Sequence, residues 1–442
     1  MAILSGELAF GTPETSYENT VWEGSPSQTG LRNAYAAGIE KVLLEDNAFK
    51  ALVKWGRELV GTDNDSSDDD GYNRFGSQIE LDSFVKNRLE KYCYENGFYG
   101  LLLNDEPIAG YTENLGVVYQ TIKRVGKTLG IDVYIHLNVL PADPSDMSML
   151  GDTSVTTDRD TLYRSYVCNI LEATKADRLS VDIYPFMNWG LKTGYFSMLQ
   201  IFKSCCDRYG AEMSLCVQTF GGGAYRGSEM GLEEIYYQLN NAFGLGIRDI
   251  YFYTYMPDSV STTEQDSSFI NLDGSLTPIY EYVQRVVDEL QNFAGTALTF
   301  EFSGMKLVYT EETQDNYHFE NYFYHAPQGE KTLAFNNSYS FVALNGFEIT
   351  TDIALITELY NQETGQYMYM AQNVVDPYYV KNDMNGWENT QLTVTLNFGT
   401  TCKGVLEFYN GVQKYIPLSQ GVYETTLEMG NASYVIPIYY NY

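Results

Sequence analysis

The sequence predicts an α/β protein in which a (β/α)8 barrel of the TIM type is followed by an all-β antiparallel sandwich. Five candidate strand ends are spaced by 33, 44, 36 and 35 residues, which is the size of one strand–helix repeat: Asp105, Asn138, Asp182, Gln218 and Tyr253. After Gly295 the texture changes to short runs of alternating apolar and polar residues separated by turns. We therefore expect a barrel domain over residues 1–295 and a β-sandwich domain over residues 296–442.

The first hundred residues are less regular than the rest of the barrel region. Residues 39–44 predict a short strand and residues 47–59 a helix. The acidic stretch 62–71 resembles a calcium loop only superficially, because Ser77 stands where a bidentate glutamate is needed. A solvated loop is the favoured interpretation of this stretch.

From Leu81 onward, helices and strands alternate. Apolar residues at helical spacing predict helices over 81–96, 113–129, 160–174, 195–209 and 232–243, and each is followed by an apolar run typical of a buried strand. A last helix over 278–292 closes the series. With strands at 39–44 and 2–10 the count reaches seven, so one strand is missed or the N-terminus is trimmed. An open doubly wound sheet is the alternative, but no GxGxxG or GxxxxGK[ST] motif supports nucleotide binding.

The amino-acid composition limits the classes of partner that the chain is expected to bind. The chain of 442 residues carries a net charge of −31, which argues against nucleic acid because phosphate binding rests on lysine and arginine. Its 39 tyrosines suit surfaces that stack on sugar rings, although strands rich in tyrosine explain most of them. Six scattered cysteines and three histidines show no metal-ligand spacing, so neither a metal nor a cofactor is expected.

The sequence leaves the compartment and the oligomeric state open. No apolar run reaches the length of a membrane span, and the first ten residues lack the basic start of a signal peptide. An extracellular or cell-surface location is favoured if the N-terminus is trimmed, and a cytoplasmic one otherwise.

The tetrapeptide Asn104-Asp105-Glu106-Pro107 is the centre of the functional prediction. It places two acids at the end of an apolar strand, where parallel-sheet enzymes carry their chemistry. Pro107 predicts an extended Glu106. Adjacent residues of a strand face opposite sides, so both acids reach one site only if the chain twists at the strand end. Carboxylates without metal ligands are typical of glycoside hydrolysis, with Glu106 as general acid and a solvated turn as the alternative.

Further polar and aromatic residues follow neighbouring strands. Asp182 is the best separate carboxylate, and a structural acid bonded to loop N–H groups is its equal alternative. Six side chains are expected to contact a carbohydrate substrate at the same face, with core packing as the alternative for each: Asn138, Tyr184, Trp189, Gln218, Tyr253 and Tyr255. Glu229, Glu233 and Glu234 are interpreted as acids at a helix start.

Taken together, these segments resemble a group of poorly characterised bacterial barrel proteins similar to the clan A, β-galactosidase-like glycoside hydrolases, which often carry a C-terminal β-sandwich. The resemblance covers residues 98–290 and rests on five segments: Leu103-Asn104-Asp105-Glu106-Pro107, Asp182 to Phe186, Val217 to Phe220, Glu233-Glu234 with Gln238 and Asn240, and Tyr251 to Tyr255. It implies that Glu106 is the acid/base of the fourth strand.

Two positions depart from the clan A pattern. Gln218 stands where the resemblance implies the nucleophilic glutamate, and glutamine cannot form a glycosyl ester. Asp105 stands where the family has asparagine. An Asp-Glu pair resembles instead the substrate-assisted hexosaminidases and endo-β-N-acetylglucosaminidases, in which the aspartate orients a substrate acetamido group. We therefore expect a glycoside hydrolase, and the alternative is a non-catalytic carbohydrate-binding or scaffold protein on a degenerate barrel.

Overall fold

The computed structural model describes the following parts of the chain: residues 42–45, 47–54, 75–96, 98–156, 158–192, 194–222, 224–226, 230–253, 269, 276–309, 332–334, 341–349, 353–378 and 391–439. The predicted strand at 2–10, the acidic stretch 62–71, Glu229 and Tyr255 lie outside these residues. The chain divides into two compact units. Unit 1 comprises Met1–Ser5, Ile183–Gln200 and Val217–Tyr442, and unit 2 comprises Gly6–Asp182 and Ile201–Cys216.

The helices follow the predicted order, although the helix predicted over 81–96 ends at Leu89. In chain order they are α1 (Asn47–Lys54), α2 (Gln78–Leu89), α3 (Thr112–Thr128), α4 (Arg159–Thr174), α5 (Tyr195–Tyr209), α6 (Leu232–Gly244) and α7 (Pro278–Ala297). The strands of the first 253 residues are β1 (Val42–Glu45), β2 (Phe98–Asp105), β3 (Tyr134–Val139), β4 (Arg178–Asp182), β5 (Phe186–Met187), β6 (Gly190–Leu191), β7 (Glu212–Gln218) and β8 (Asp249–Tyr253).

Unit 2 is built on a parallel sheet. Its strands lie in the order β1-β2-β3-β4-β7, and each neighbouring pair runs parallel. In unit 1, β8 lies beside the end of β7, where the Thr219 N–H donates to the Tyr253 carbonyl at 2.8 Å. The described residues show this half-barrel sheet and not a closed barrel of eight strands. Parallel pairing needs a crossover between strands, and the helices α3 and α4 provide it in unit 2.

One face of the parallel sheet carries an unusual row of polar side chains. Asn138, Ser180 and Ser214 occupy the same register level on β3, β4 and β7, and all three are buried. Their neighbours on the opposite face, such as Leu179 and Val181, are fully buried aliphatic residues. Barrel interiors are commonly filled with bulky branched residues, so this face differs from that pattern in its chemistry.

Helix α4 shows why the local sequence forms an element that positions the site. Asp158 caps its start, and its carboxylate accepts a hydrogen bond from the Thr161 N–H at 3.0 Å. The helix ends at Lys175, which adopts the left-handed conformation common after a helix. The helix therefore begins and ends at residues that satisfy its free backbone groups.

The chain after α7 is all β. Its strands are β9 (Glu301–Tyr309), β10 (Thr332–Ala334), β11 (Gly346–Ile349), β12 (Ile353–Tyr360), β13 (Tyr367–Asn373), β14 (Leu392–Asn397), β15 (Cys402–Tyr409), β16 (Val412–Pro417), β17 (Val422–Leu427) and β18 (Ala432–Tyr439). They form a seven-stranded sheet, β10-β9-β12-β13-β18-β15-β16, and a three-stranded sheet, β11-β14-β17, in which all pairs are antiparallel.

The two antiparallel sheets contribute side chains to one buried cluster. Ile356 and Val435 come from the large sheet, and Val394, Leu396 and Leu427 come from the small one. Alternation of apolar and polar residues along β14 places every second side chain in this cluster. The β-sandwich and its boundary at residue 295 stay predictions, and this shared cluster is the support for the sandwich.

Candidate active site

The end of β2 brings two acids to the carboxyl edge of the parallel sheet in unit 2. Residues Leu101 to Asn104 are buried, and Asp105 is the first exposed residue of the strand. Asp105 lies opposite Asn138 on β3, and the Asn138 amide donates to the Asp105 carboxylate at 3.0 Å. The register between β2 and β3 shifts around Leu103, so Asp105 and not Asn104 faces Asn138.

Glu106 has a strained backbone. Its φ is +48°, in the left-handed region, which costs a residue with a Cβ about 1–2 kcal/mol. The prediction that Pro107 keeps Glu106 extended is therefore wrong. Tertiary hydrogen bonding overrides the local preference: the Glu106 N–H donates to the Asn138 carbonyl at 3.0 Å. Adjacent residues of a strand face opposite sides. The left-handed backbone at Glu106 is the change of direction that Asp105 and Glu106 need in order to face one site.

Asp182 completes a cluster of three acids at this edge. Burial raises the pKa of its carboxyl well above the ordinary range, and the negative charges of Glu106 and Asp105 raise this pKa further. Hydrogen bonds from its own backbone N–H and from Asn138 oppose the shift without cancelling it. The Asp182 Oδ1 atom is buried and has no hydrogen-bond partner among the residues that the structure describes. Asp182 therefore binds a proton more tightly than a solvated aspartate, next to two acids that are half-buried or exposed.

This arrangement matches the chemistry of acid/base catalysis. A carboxyl group with a raised pKa can give a proton, and a neighbouring carboxylate can accept one. Desolvation and like charges are the physical means by which enzymes separate the two roles. Asn138 contacts this cluster rather than only the core, as its bond to Asp105 shows.

Among the described residues, no group of three or more histidine, cysteine, aspartate or glutamate side chains has a geometry that could hold a metal ion. No helix in the described part of the chain is both long and apolar enough to cross a membrane.

In unit 1, Gln218 is a fully engaged structural residue. Its side chain has no exposed surface. The Phe186 N–H donates to its Oε1 at 3.0 Å, and its Nε2 donates to the carbonyls of Phe186 and Phe220 at 3.1 and 3.2 Å. The amide of Gln238 bonds both backbone groups of Gln218, at 2.7 and 3.0 Å. Gln218 holds the start of β5 to the end of β7, and its predicted contact with substrate stays a prediction.

Three tyrosines surround the buried ring of Phe220 in the same unit. The rings of Tyr184 and Tyr253 are stacked, with centroids 5.9 Å apart. Phe220 presents its edge to both, at 4.9 and 5.4 Å, and Tyr225 lies 4.9 Å from Phe220. All three tyrosines are partly exposed. Trp189 stands apart at the turn between β5 and β6 and is 58% exposed.

The comparisons with known proteins give likenesses of low similarity. No protein-family model matches the sequence, and no curated protein matches it. Solved structures with a similar course of chain are glycoside hydrolases of several families. A GH27 β-L-arabinopyranosidase from Geobacillus stearothermophilus has a TM-score of 0.44 at 10% identity, with 95% of this chain and 78% of that one covered.

Two further solved structures are similar to this chain. A GH30 endoxylanase from Clostridium papyrosolvens C71 has a TM-score of 0.34 at 10% identity, with 94% of each chain covered. A glucosidase from Croceicoccus marinus has a TM-score of 0.36 at 12% identity, with 83% of this chain and 76% of that one covered. Such low TM-scores do not decide the activity of this chain, so a proposed activity depends on the arrangement of its own carboxylates.

Two features of these units were not predicted from the sequence. Tyr166 of α4 is buried, and its hydroxyl donates to the Pro107 carbonyl at 2.5 Å and accepts from the Leu140 N–H at 3.2 Å. Nothing in the local sequence marks a tyrosine whose partner lies 59 residues away.

The second feature is a buried ion cluster in unit 1. Arg226 bonds Glu234 at 3.1 Å and Asp376 at 2.9 Å, and its guanidinium lies over the ring of Phe186. Glu234 also accepts from the Gly231 N–H at 2.9 Å, so its predicted place at a helix start is confirmed. Its pairing with Arg226 has no sequence signal.

Proposed function

We propose that this protein is a glycoside hydrolase whose chemistry is carried by Asp105, Glu106 and Asp182. The observation that supports this most is the buried carboxyl of Asp182, with its raised pKa, beside two further acids at the carboxyl edge of a parallel sheet. Glycoside hydrolysis needs a proton for the leaving oxygen and a carboxylate for the electron-poor sugar centre or for its water.

In this proposal Glu106 is the general acid/base. It gives a proton to the leaving oxygen as the glycosidic bond breaks, and Asp182, whose pKa is raised, helps to keep a proton within the cluster. Asp105 is held in one orientation by the Asn138 amide. A fixed carboxylate at this position suits the orientation of a substrate acetamido group, whose oxygen then acts as the nucleophile in place of a protein side chain.

The test is hydrolysis of a panel of aryl glycosides by wild type and by Glu106→Gln, Asp105→Asn and Asp182→Asn. Removal of a general acid/base costs about 10²-fold to 10⁴-fold in rate. Asp288→Asn, an exposed acid on α7, is the matched control and is expected to leave turnover unchanged. Full turnover by Glu106→Gln on a substrate that wild type cleaves would remove Glu106 from the chemistry.

Pairs of aryl glycosides that differ only at C2 separate the two mechanisms. A substrate-assisted enzyme cleaves the 2-acetamido sugar and leaves the 2-hydroxyl sugar intact, and Asp105→Asn then loses turnover on the former. Equal turnover of both sugars contradicts the role proposed for Asp105.

A second candidate function is carbohydrate binding without hydrolysis. It is favoured by the partly exposed cluster of Tyr184, Tyr225 and Tyr253, since aromatic faces stack on sugar rings. The engaged amide of Gln218, where a nucleophile is expected, also favours it. Glycan binding measured by calorimetry, with no product after long incubation and with weaker binding by Tyr184→Ala, supports this candidate over hydrolysis.

A further inference from the structure

Tyr166 connects two loops at the carboxyl edge of the sheet in unit 2. It lies in α4 with 1% of its surface exposed. One hydroxyl group serves as donor to the Pro107 carbonyl after β2 and as acceptor for the Leu140 N–H after β3. The contact to Pro107 is short, 2.5 Å between the two oxygens. A single atom of α4 therefore fixes the distance between the two loops.

Glu106 lies between two fixed backbone points. On one side its own N–H is bonded to the Asn138 carbonyl at 3.0 Å, and on the other the carbonyl of the next residue is bonded to Tyr166. Its φ of +48° is unfavourable for a residue with a side chain, and a following proline favours extended backbone instead. A strained residue keeps such a conformation only when the surrounding bonds determine it.

We propose that Tyr166 is a positioning residue that holds the Glu106 carboxyl in the cluster with Asp105 and Asp182. This rests on the proposed function for its effect on turnover, and on the backbone geometry alone for its effect on Glu106. Without the hydroxyl, the Pro107 carbonyl and the Leu140 N–H lose their partner, and Glu106 relaxes towards extended backbone. The carboxyl then leaves the cluster.

The hydroxyl keeps its proton over the whole working range of pH. Burial raises the pKa of Tyr166 above its ordinary value, and the charges of Glu106, Asp182 and Asp105 add to the rise. The donated bond to Pro107 is therefore present in every protonation state of the acids. Any change in a pH profile on removal of the hydroxyl reports on the acids and not on Tyr166 itself.

Tyr163 offers a matched control. It lies one turn earlier in α4, has no exposed surface, and stacks against Tyr166 with ring centroids 6.4 Å apart. Its hydroxyl is buried and finds no hydrogen-bond partner in the described part of the chain. Tyr163→Phe thus removes the same atom from the same helix without releasing a loop.

The first test compares the kinetics of Tyr166→Phe and Tyr163→Phe on a substrate that wild type cleaves. We expect Tyr166→Phe to lower kcat by about 10-fold to 100-fold, as a misplaced catalytic group does. We expect KM to stay within about twofold of the wild-type value. The limb of the kcat-against-pH profile that depends on Glu106 should shift along the pH axis. Tyr163→Phe keeps the wild-type kcat and pH profile. Equal kinetics of the two variants overturns the proposal.

The second test needs no substrate and separates this proposal from the proposed function. A crystal structure of Tyr166→Phe is expected to show φ of Glu106 outside the left-handed region. A variant structure with φ unchanged overturns the positioning role even if the protein is a glycoside hydrolase. A wild-type crystal structure without the bond from Tyr166 to Pro107 overturns it as well, and this measurement applies even if the variant fails to fold.

Discussion

Glu106 and Asp182 lie at the carboxyl edge of the sheet in unit 2, and each is in a state that lowers the stability of the folded chain. Glu106 keeps an unfavourable backbone conformation, and the carboxyl of Asp182 has a raised pKa because it is buried beside other acids. Neither state helps the chain to fold. Residues that oppose stability in this manner are concentrated at functional sites, which agrees with the place proposed for both.

The first prediction concerns the pH dependence of stability at Asp182. Its folded pKa is raised, so the unfolded chain releases this proton above about pH 4 while the folded chain retains it, and stability falls as the pH rises towards the folded pKa. Asp182→Asn cannot ionise and removes this fall. We expect the thermal midpoint of the variant, relative to wild type, to increase as the pH rises above about 4.

Asp132→Asn is the control for this titration, because the contribution of Asp132 to stability changes with pH in the opposite direction. A hydrogen bond and the charge of Lys123 lower the pKa of Asp132, so its contribution to stability is present above the ordinary aspartate pKa and is lost as the pH falls. The control variant is therefore less stable than wild type at neutral pH and approaches it in acid. Parallel curves for Asp182→Asn and wild type contradict the prediction.

The second prediction tests whether a nucleophile can be restored at Gln218. Glu at this position cannot donate to the carbonyls of Phe186 and Phe220, and it buries a charge without a cation. We expect Gln218→Glu to lose about 3 kcal/mol of stability and to gain no hydrolytic activity. Thermal unfolding and turnover of the same sample measure both. A stable Gln218→Glu variant that gains hydrolytic activity contradicts this prediction and shows that position 218 can hold a nucleophile.

At the scale of elements, α6 is tied to distant parts of unit 1 by buried charge. Arg226 neutralises Glu234 in the first turn of α6 and Asp376 after β13, and all three side chains are buried. Burial raises the pKa of Asp376 despite the opposing charge of Arg226. The aromatic faces of Phe186 and Tyr378 cover the guanidinium at 4.9 and 5.1 Å.

The third prediction follows from this ion cluster. Arg226→Met leaves two carboxyl groups buried without a cation, and we expect a loss of about 3–5 kcal/mol in the free energy of unfolding of unit 1. Arg124→Met breaks an ion pair with Asp82 whose side chains are partly exposed, and it should cost less than about 1 kcal/mol. Denaturation curves of the two variants decide this. Similar small losses mean that the cluster is dispensable.

Much of the fold could be predicted at this scale, because it depends on local periodicity. The predicted helix over 195–209 coincides with α5, and the predicted helix over 160–174 differs from α4 by one residue. The hairpin of β5 and β6 was missed, since two-residue strands leave no alternating pattern. For the site, the acids were found by their position after apolar runs, whereas the roles of Tyr166 and Arg226 depend on partners far away in sequence.

At the scale of the whole molecule, the last two helices of the predicted barrel region belong to the same compact unit as the antiparallel sheets. The ring of Phe293 in α7 stacks on Phe408 of β15 at 4.8 Å. The Tyr434 hydroxyl of β18 donates to Asn240 of α6 at 2.9 Å. The side chain of Gln372 in β13 donates to the Tyr237 carbonyl at 3.0 Å. These contacts bury apolar and polar groups of both segments together.

The fourth prediction concerns separation at the predicted boundary. A chain of residues 1–295 exposes the rings of Phe243 and Phe293, which the sheets otherwise cover. We expect this fragment to aggregate, because contiguous exposed apolar surface promotes association. Size-exclusion chromatography of the fragment and of the full chain measures the difference. A monomeric fragment with one cooperative unfolding transition contradicts the prediction and supports independent domains.

The polar row of Asn138, Ser180 and Ser214 has a consequence for the response to temperature. Unfolding exposes hydroxyl and amide groups from this face of the sheet, where most barrels would expose aliphatic side chains. Polar surface lowers the heat-capacity change of unfolding, whereas apolar surface raises it. This row therefore lowers the heat-capacity change of unfolding, and we expect the stability of unit 2 to vary less steeply with temperature than it would with aliphatic side chains at these three positions.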